Sequence, residues 1–272
     1  MDRCLEIMES HAEQLDQPTL HWVHTYTRAG RAQIAGNTEQ AEQLATEALQ
    51  IGTDSGQPDA TMFFGSQLTT LNFQRGTMGE LAPLLEQIVI DAPEAAGGYT
   101  AALAVAHVEA GRIEDARRLL EEFATGGFDL PLDASWLTGM AIYAEVAIAC
   151  GDPDQAEPLF DRLAPWPDQM PASALSALDP VSHVLGGLAT VLGRYDEADT
   201  YFTQAAAFND RAGAKFFAAR TNLTWGRMLA ERNARGDTER ALDLLTKAHT
   251  AAAAHGYADV ERRAAEALEH LE

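Results

Sequence analysis

The stretch GRYDEA at residues 193–198 decides how this chain is read, because its pattern returns along most of the sequence. The pattern is Gly-x-x-[Asp/Glu]-x-Ala. It also occurs as GNTEQA from Gly36, GRIEDA from Gly111, GDPDQA from Gly151 and GDTERA from Gly236. A degenerate copy begins at Gly76, where Leu81 stands in the alanine's place. Successive glycines lie 40, 35, 40, 42 and 43 residues apart. Such a period belongs to arrays of helical hairpins, in which each unit buries its apolar face against the next.

Each position has a physical role. Glycine adopts the left-handed backbone at low cost and so ends the first helix of a pair. The acidic residue falls in the first turn of the second helix, where the macrodipole favours negative charge. The alanine belongs where the two helices cross. Seven residues before each glycine stand Ala29, Thr69, Ala104, Ala144 and Gly186; Gly226 serves the last unit if its turn is three residues longer. Nine residues after each glycine stand Ala45, Leu85, Leu120, Phe160, Phe202 and Leu245, all apolar. Pro18, Pro58 and Pro93 each precede their glycine by eighteen residues, which suits the first turn of a helix.

These features predict an all-α fold, a right-handed tetratricopeptide-like solenoid of about six helical hairpins. The expected units are 18–57, 58–92, 93–130, 131–172, 173–213 and 214–272. Linkers are expected at 52–57, 91–98, 124–134 and 209–213, with an extended connection over 164–180 in which Trp166 is a buried anchor. Residues 1–17 carry an apolar stripe of Leu5, Met8, Ala12 and Leu15 and align with the second helix of a unit. The chain is therefore expected to open on an orphan helix, as a segment of a longer protein whose end packs on something upstream. Paired charges four apart, Glu114 with Arg118 and Arg118 with Glu122, are expected on a solvated helix face.

Composition narrows the function classes. The chain has 272 residues, 46% of them hydrophobic, and a formal net charge of −22 from 41 acidic and 19 basic residues. Such a surface repels nucleic-acid phosphates and anionic membranes, so neither partner is expected. No apolar run approaches the roughly eighteen residues of a membrane span. The two cysteines, Cys4 and Cys150, form no disulfide framework, and a cytoplasmic location is expected.

Two runs carry a family resemblance. Residues 192–257 (LGRYDEADTYFTQAAAFNDRAGAKFF through TKAHTAAAAHGY) and 17–60 (QPTLHWVHTYTRAGRAQIAGNTEQAEQLATEALQ onward) resemble the tetratricopeptide-like C-terminal region of large bacterial signalling ATPases. That group includes LuxR-type regulators and proteins with an adenylate/guanylate cyclase domain. The resemblance implies a regulatory arm that senses an inducer or partner and restrains an upstream ATPase domain of the same chain. No Gly-Lys pair exists for a phosphate-binding loop, so the ATPase itself is not in this sequence.

In such arrays the first helices line a concave groove, and the register points Tyr26, Phe63, Phe73, Glu145, His183, Arg220 and Arg227 into it, along with Gln33, Ser66 and Thr70. A protein segment or small-molecule inducer is the expected occupant. Arg220 and Arg227, seven apart, either clamp its carboxylate or pair with nearby glutamates. His21 and His24, three apart, lack further ligands in sequence, so no metal is expected, nor any other cofactor. The aromatic clusters Met62-Phe63-Phe64 and Phe216-Phe217 are expected in the core. No catalytic motif is present, and a binding function is expected; a free-standing adaptor is the alternative, and a helical-hairpin hydrolase or metal enzyme the remoter one.

Overall fold

Helix follows helix from one end of the chain to the other. The computed structural model describes residues 2–91, 96–133 and 135–271, with the backbone alone at 96–98. Among these, fourteen α-helices and one 3₁₀ turn form an all-α repeat solenoid. Helix α1 (Asp2–Leu15) is followed by six pairs. These are α2 (Pro18–Ile34) with α3 (Thr38–Asp54), α4 (Ala60–Arg75) with α5 (Ala82–Asp91), and α6 (Ala96–Glu109) with α7 (Ile113–Thr125). Then come α8 (Trp136–Cys150) with α9 (Pro153–Leu163), α10 (Val181–Val191) with α11 (Tyr195–Ala212), and α12 (Lys215–Arg232) with α13 (Asp237–His255). Helix α14 (Ala258–Glu269) closes the chain against α12 and α13.

The repeat chemistry is visible in the backbone. All six glycines of the pattern have positive φ, between 60° and 89°, which an L side chain adopts only with strain. The alanines that follow, Ala41, Ala116, Ala156, Ala198 and Ala241, are all buried at the helix crossings. At two crossings glycine is required on the opposing helix: a Cβ on Gly186 would come within 2.8 Å of the Phe202 ring, and one on Gly226 within 2.8 Å of Leu245. In the last pair α12 ends at Asn233, itself left-handed, and Gly236 then starts α13, which makes the turn longer.

The degenerate second pair departs from the register. Leu81 is only half-buried, and Ala82 takes the buried position instead. Pro83, which lacks an N–H, is tolerated only in the first turn of an α-helix. The α-helix thus starts at Ala82, and a 3₁₀ turn, Met78–Leu81, fills the gap.

Several expected linkers are shorter than composition suggested. Helix α3 runs through Gly52 to Asp54, because Gly52 lets α3 approach closely: its Cβ would meet Ala60 at 2.6 Å and the Trp22 indole at 2.8 Å. Helix α11 likewise takes in 209–212 and stops at Gly213. Pro58 lies ahead of α4 instead of in its first turn, and Pro93 is outside the described residues. Arg118 pairs with Asp115 at 2.9 Å, not with Glu114 or Glu122. Trp166 is 45% exposed and meets Trp136 edge-on, so it is no buried anchor.

Two features turn the array inward. The segment 165–180 is not a simple connection; it folds across the first-of-pair helices α2 and α4. The Gln33 side chain donates to the Ala177 carbonyl (3.2 Å) and accepts from the Ala177 N–H (3.0 Å), while Gln67 donates to the Leu175 carbonyl (3.0 Å). A Cβ on Gly30 would lie 2.8 Å from the carbonyls of Ala174 and Leu175, so the close approach needs glycine there. The second feature is closure. The Tyr257 hydroxyl, fully buried, donates to the Gly36 carbonyl at 3.0 Å, and Phe216 bridges Tyr257 (5.0 Å between ring centres) and Phe73 (5.9 Å). The last pair and α14 thereby meet the turns of the first two pairs.

Candidate functional site

Where the array curls back, the inner faces of α4, α6, α8, α10, α12 and α14 enclose a cleft of about 660 Å³. Its floor is a charged cluster. Glu145 projects from α8 as the single charged residue of an otherwise largely apolar helix. Asp179 immediately precedes Pro180, the N-cap of α10, and His183 lies one turn further on. Arg220 comes from the middle of α12.

Arg220 organises the cluster. Its guanidinium donates to Oε2 of Glu145 (2.9 Å) and to Oδ2 of Asp179, and it stacks over the Phe73 ring at 4.7 Å. The side chains of Arg220 and Asp179 are almost wholly enclosed. His183 is 2% exposed; its Nδ1 meets Thr221 Oγ1 at 3.0 Å, and Thr221 Oγ1 accepts from Asn209 at 3.1 Å. Its Nε2 faces Oε1 of Glu145 at 3.7 Å and Oδ1 of Asp179 at 3.8 Å.

Burial and charge act in opposition here. Burial would lift the Glu145 carboxyl, but the adjacent Arg220 and His183 outweigh it and hold it below its ordinary range. At Asp179 burial prevails over the neighbouring Arg220, and the carboxyl is pushed up. Although burial opposes its charge, Arg220 is held in its cationic form by Asp179 and Glu145. Across the cleft, burial and the charge of Asp259 push the Glu109 carboxyl up to about 7. Arg227 stands at the mouth and makes no hydrogen bond or ion pair among the described residues; burial and the neighbouring Arg263 push its guanidinium down.

The expected groove is thus divided. Phe73, Glu145, His183, Arg220 and Arg227 all line one cleft. Tyr26 and Phe63 do not reach it: they pack with Trp22 at 5.1–5.3 Å in a separate aromatic cluster. Gln33 and Thr70 are buried, Gln33 beneath 165–180. Of the arginine pair, Arg220 is taken up by Glu145 and Asp179, and Arg227 alone stays unpaired. Met62 of the expected core cluster is 56% exposed. His21 lies 3.5 Å from Asp16, a carboxylate five residues upstream.

Asp179, Thr221, Asn209 and Glu109 escaped the sequence reading. Asp179 carried a signal all the same, since it lies four residues before His183, with a helix-initiating proline between. Thr221 and Asn209 carried none.

Comparison with known proteins agrees with the fold. A tetratricopeptide-repeat family model matches residues 97–122 and 138–162, which fall in the α6–α7 and α8–α9 pairs. Repeats of this type suggest a protein-interaction domain, and they are typically non-catalytic. No helix among the described residues is long and apolar enough to cross a membrane. No curated protein matches the sequence. Among solved structures the chain is similar to BtubC (BKLC) from P. vanneervenii, at 14% identity and a TM-score of 0.39, over 73% of this chain and 88% of that one.

Proposed function

We propose that this chain is a non-catalytic, ligand-sensing arm whose cleft takes a compact carboxylate-bearing ligand, either a small organic acid or the terminus of a partner segment. The observation that carries this reading is the unpaired Arg227 at the mouth of a cleft of about 660 Å³. That volume falls within the range of roughly 300–1,000 Å³ typical of small-ligand sites. An extended peptide has less support, because 165–180 already occupies the inner face of α2 and α4. Arg227 supplies a planar fork for a carboxylate, and Phe73 supplies apolar wall.

The resemblance of 17–60 and 192–257 to the arms of bacterial signalling ATPases supports a place within a larger regulator or cyclase-type protein, with ligand binding communicated to an upstream domain. A free-standing adaptor is the alternative. An immunoblot of source lysate separates them: a band well above 29.4 kDa supports the larger protein, and a band at that mass the adaptor.

Ligand binding is tested by thermal-shift and calorimetric screening of organic acids and short peptides against the wild-type chain and Arg227→Ala. The expected result is a hit that stabilises the wild type and loses at least tenfold in affinity in the variant, whose own melting temperature is unchanged. Binding that is indifferent to Arg227, or no binding by any carboxylate, overturns the reading.

A further inference from the structure

We infer that Glu145, Asp179 and His183 form a binding site for one divalent transition-metal ion of the zinc class, with an open coordination position facing the cleft. One donor atom from each residue lies within 4.8 Å of the other two. The inward-facing atoms are Oε1 of Glu145, Oδ1 of Asp179 and Nε2 of His183.

Three observations converge on this assignment. The first is that Oε1 and Oδ1 accept no hydrogen bond from the described residues, although Asp179 is 2% exposed. A buried carboxylate oxygen without a partner costs about 1–3 kcal/mol or more, so the arrangement favours an occupant. The separations of 3.7 and 3.8 Å from Nε2 exceed a hydrogen bond. They are instead close to those of ligands sharing one ion: atoms about 2.0–2.1 Å from zinc stand roughly 3.3 Å apart in a tetrahedron.

The second is that each ligand is held from behind. Arg220 takes Oε2 of Glu145 and Oδ2 of Asp179, leaving the other oxygen of each carboxylate turned inward. Thr221 meets Nδ1 of His183, and Asn209 supports Thr221. Such outer hydrogen bonds orient metal ligands and fix the imidazole tautomer. In the tautomer whose Nδ1 donates to Thr221, the Nε2 lone pair faces the two oxygens.

The third is charge and ligand softness. When both carboxyls are ionised, the single guanidinium leaves a negative charge unanswered in an enclosed site, and a bound cation offsets the burial that pushes Asp179 towards its neutral form. An imidazole nitrogen among the ligands favours zinc-like ions over magnesium or calcium, which prefer oxygen alone. Glu145 and His183 both line the cleft, so the fourth position opens to it. Three protein ligands with one open position describe a site that can accept an anionic ligand group directly.

The competing occupant is a proton, giving an imidazolium between two carboxylates. The test uses the full chain, stripped with a chelator and dialysed. Zinc uptake is measured by elemental analysis and calorimetry, and cobalt(II) substitution by its visible ligand-field bands. The expected result is one equivalent bound at micromolar zinc or below, with cobalt bands of a low-coordinate site. Glu145→Gln, partly exposed and able to keep the Arg220 contact, should abolish the bands while circular dichroism is retained. Thr221→Val keeps all three ligands and should weaken binding about 10- to 100-fold.

Failure to take up zinc, or uptake unaltered in Glu145→Gln, overturns the site. A melting temperature that follows pH but ignores zinc identifies the proton as occupant and also overturns it. Arg227→Ala should bind metal normally, so failure of the carboxylate-ligand reading is distinguishable from failure of this one.

Discussion

Replacing Gly36 by alanine tests whether the two ends of the array meet. Gly36 and Gly193 have the same duty, ending the first helix of a pair at φ of 79° and 70°. Alanine in the left-handed region costs roughly 1–2 kcal/mol at either site. At Gly193 nothing lies within 4 Å of the added Cβ, so that is the whole expected loss. At Gly36 the Cβ would fall 2.0 Å from the Tyr257 hydroxyl and 3.3 Å from the Phe216 backbone nitrogen. The phenol must therefore move, breaking its bond to the Gly36 carbonyl, worth about 0.5–1.5 kcal/mol. It must also disturb a fully buried ring, for which overpacking costs typically 1–3 kcal/mol. The excess for Gly36→Ala over Gly193→Ala comes to about 1.5–4.5 kcal/mol. At roughly 2–4 °C per kcal/mol for a chain near this size, the two melting temperatures should differ by about 3–18 °C. Parallel thermal and urea unfolding of both variants measures this. Equal losses at the two glycines would refute the closure, because local strain would then account for everything.

Four further predictions address other parts of the molecule. The Glu109 carboxyl titrates near 7 in the fold against an ordinary 4.5, so the folded state holds an extra proton between these values. Stability contributed by this group is therefore lost as pH rises through that window and levels off above it; Glu109→Gln should flatten the decline in melting temperature, and an unaltered profile would contradict the assignment. Gly186→Ala drives a Cβ into the Phe202 ring and should destabilise by about 1–3 kcal/mol. Gly65→Ala, in the same kind of helix but with open space around it, should instead stabilise by about 0.5–1 kcal/mol. Gln33→Ala removes both bonds to Ala177 and should cost about 1–3 kcal/mol; it should also raise proteolytic cleavage within 165–180, whereas an unchanged digestion pattern would mean the segment is held by other contacts.

What could be seen in the sequence was whatever a few neighbouring residues encode. Helix ends at Gly76 and Gly151, crossings at Ala116 and Ala198, and the longer turn before Gly236 all follow from local backbone rules repeated at one period. The same register set Phe73, Glu145, His183 and Arg220 on first-of-pair helices. What lay beyond reach was long-range. Arg220 meets Glu145 across 75 residues, and Gln33 meets Ala177 across 144, separations that no single repeat period spans. Tyr26 and Phe63 pack with Trp22 in a separate cluster, a contact that the repeat register did not distinguish from the groove. Composition also misled where a helix needed a small residue: Gly52 looked like a linker and is a close-packing contact inside α3.

The bond between Tyr257 and the Gly36 carbonyl joins residues 221 apart. An open stack can lose or gain a hairpin and merely become shorter or longer. A stack whose last helix lands on its first turn is more like a hoop, and the number of staves is set by its circumference. Deleting one pair would leave Tyr257 out of reach of Gly36, so hairpin number should resist insertion and deletion here. Folding acquires a slow final step as well. Neighbouring pairs dock over separations of about one period, while the closing contact draws together a loop several times longer, at an entropic cost greater by roughly 1.5 kcal/mol. The individual hairpins are expected to form first, with the cleft and its charged floor assembled only when the hoop shuts.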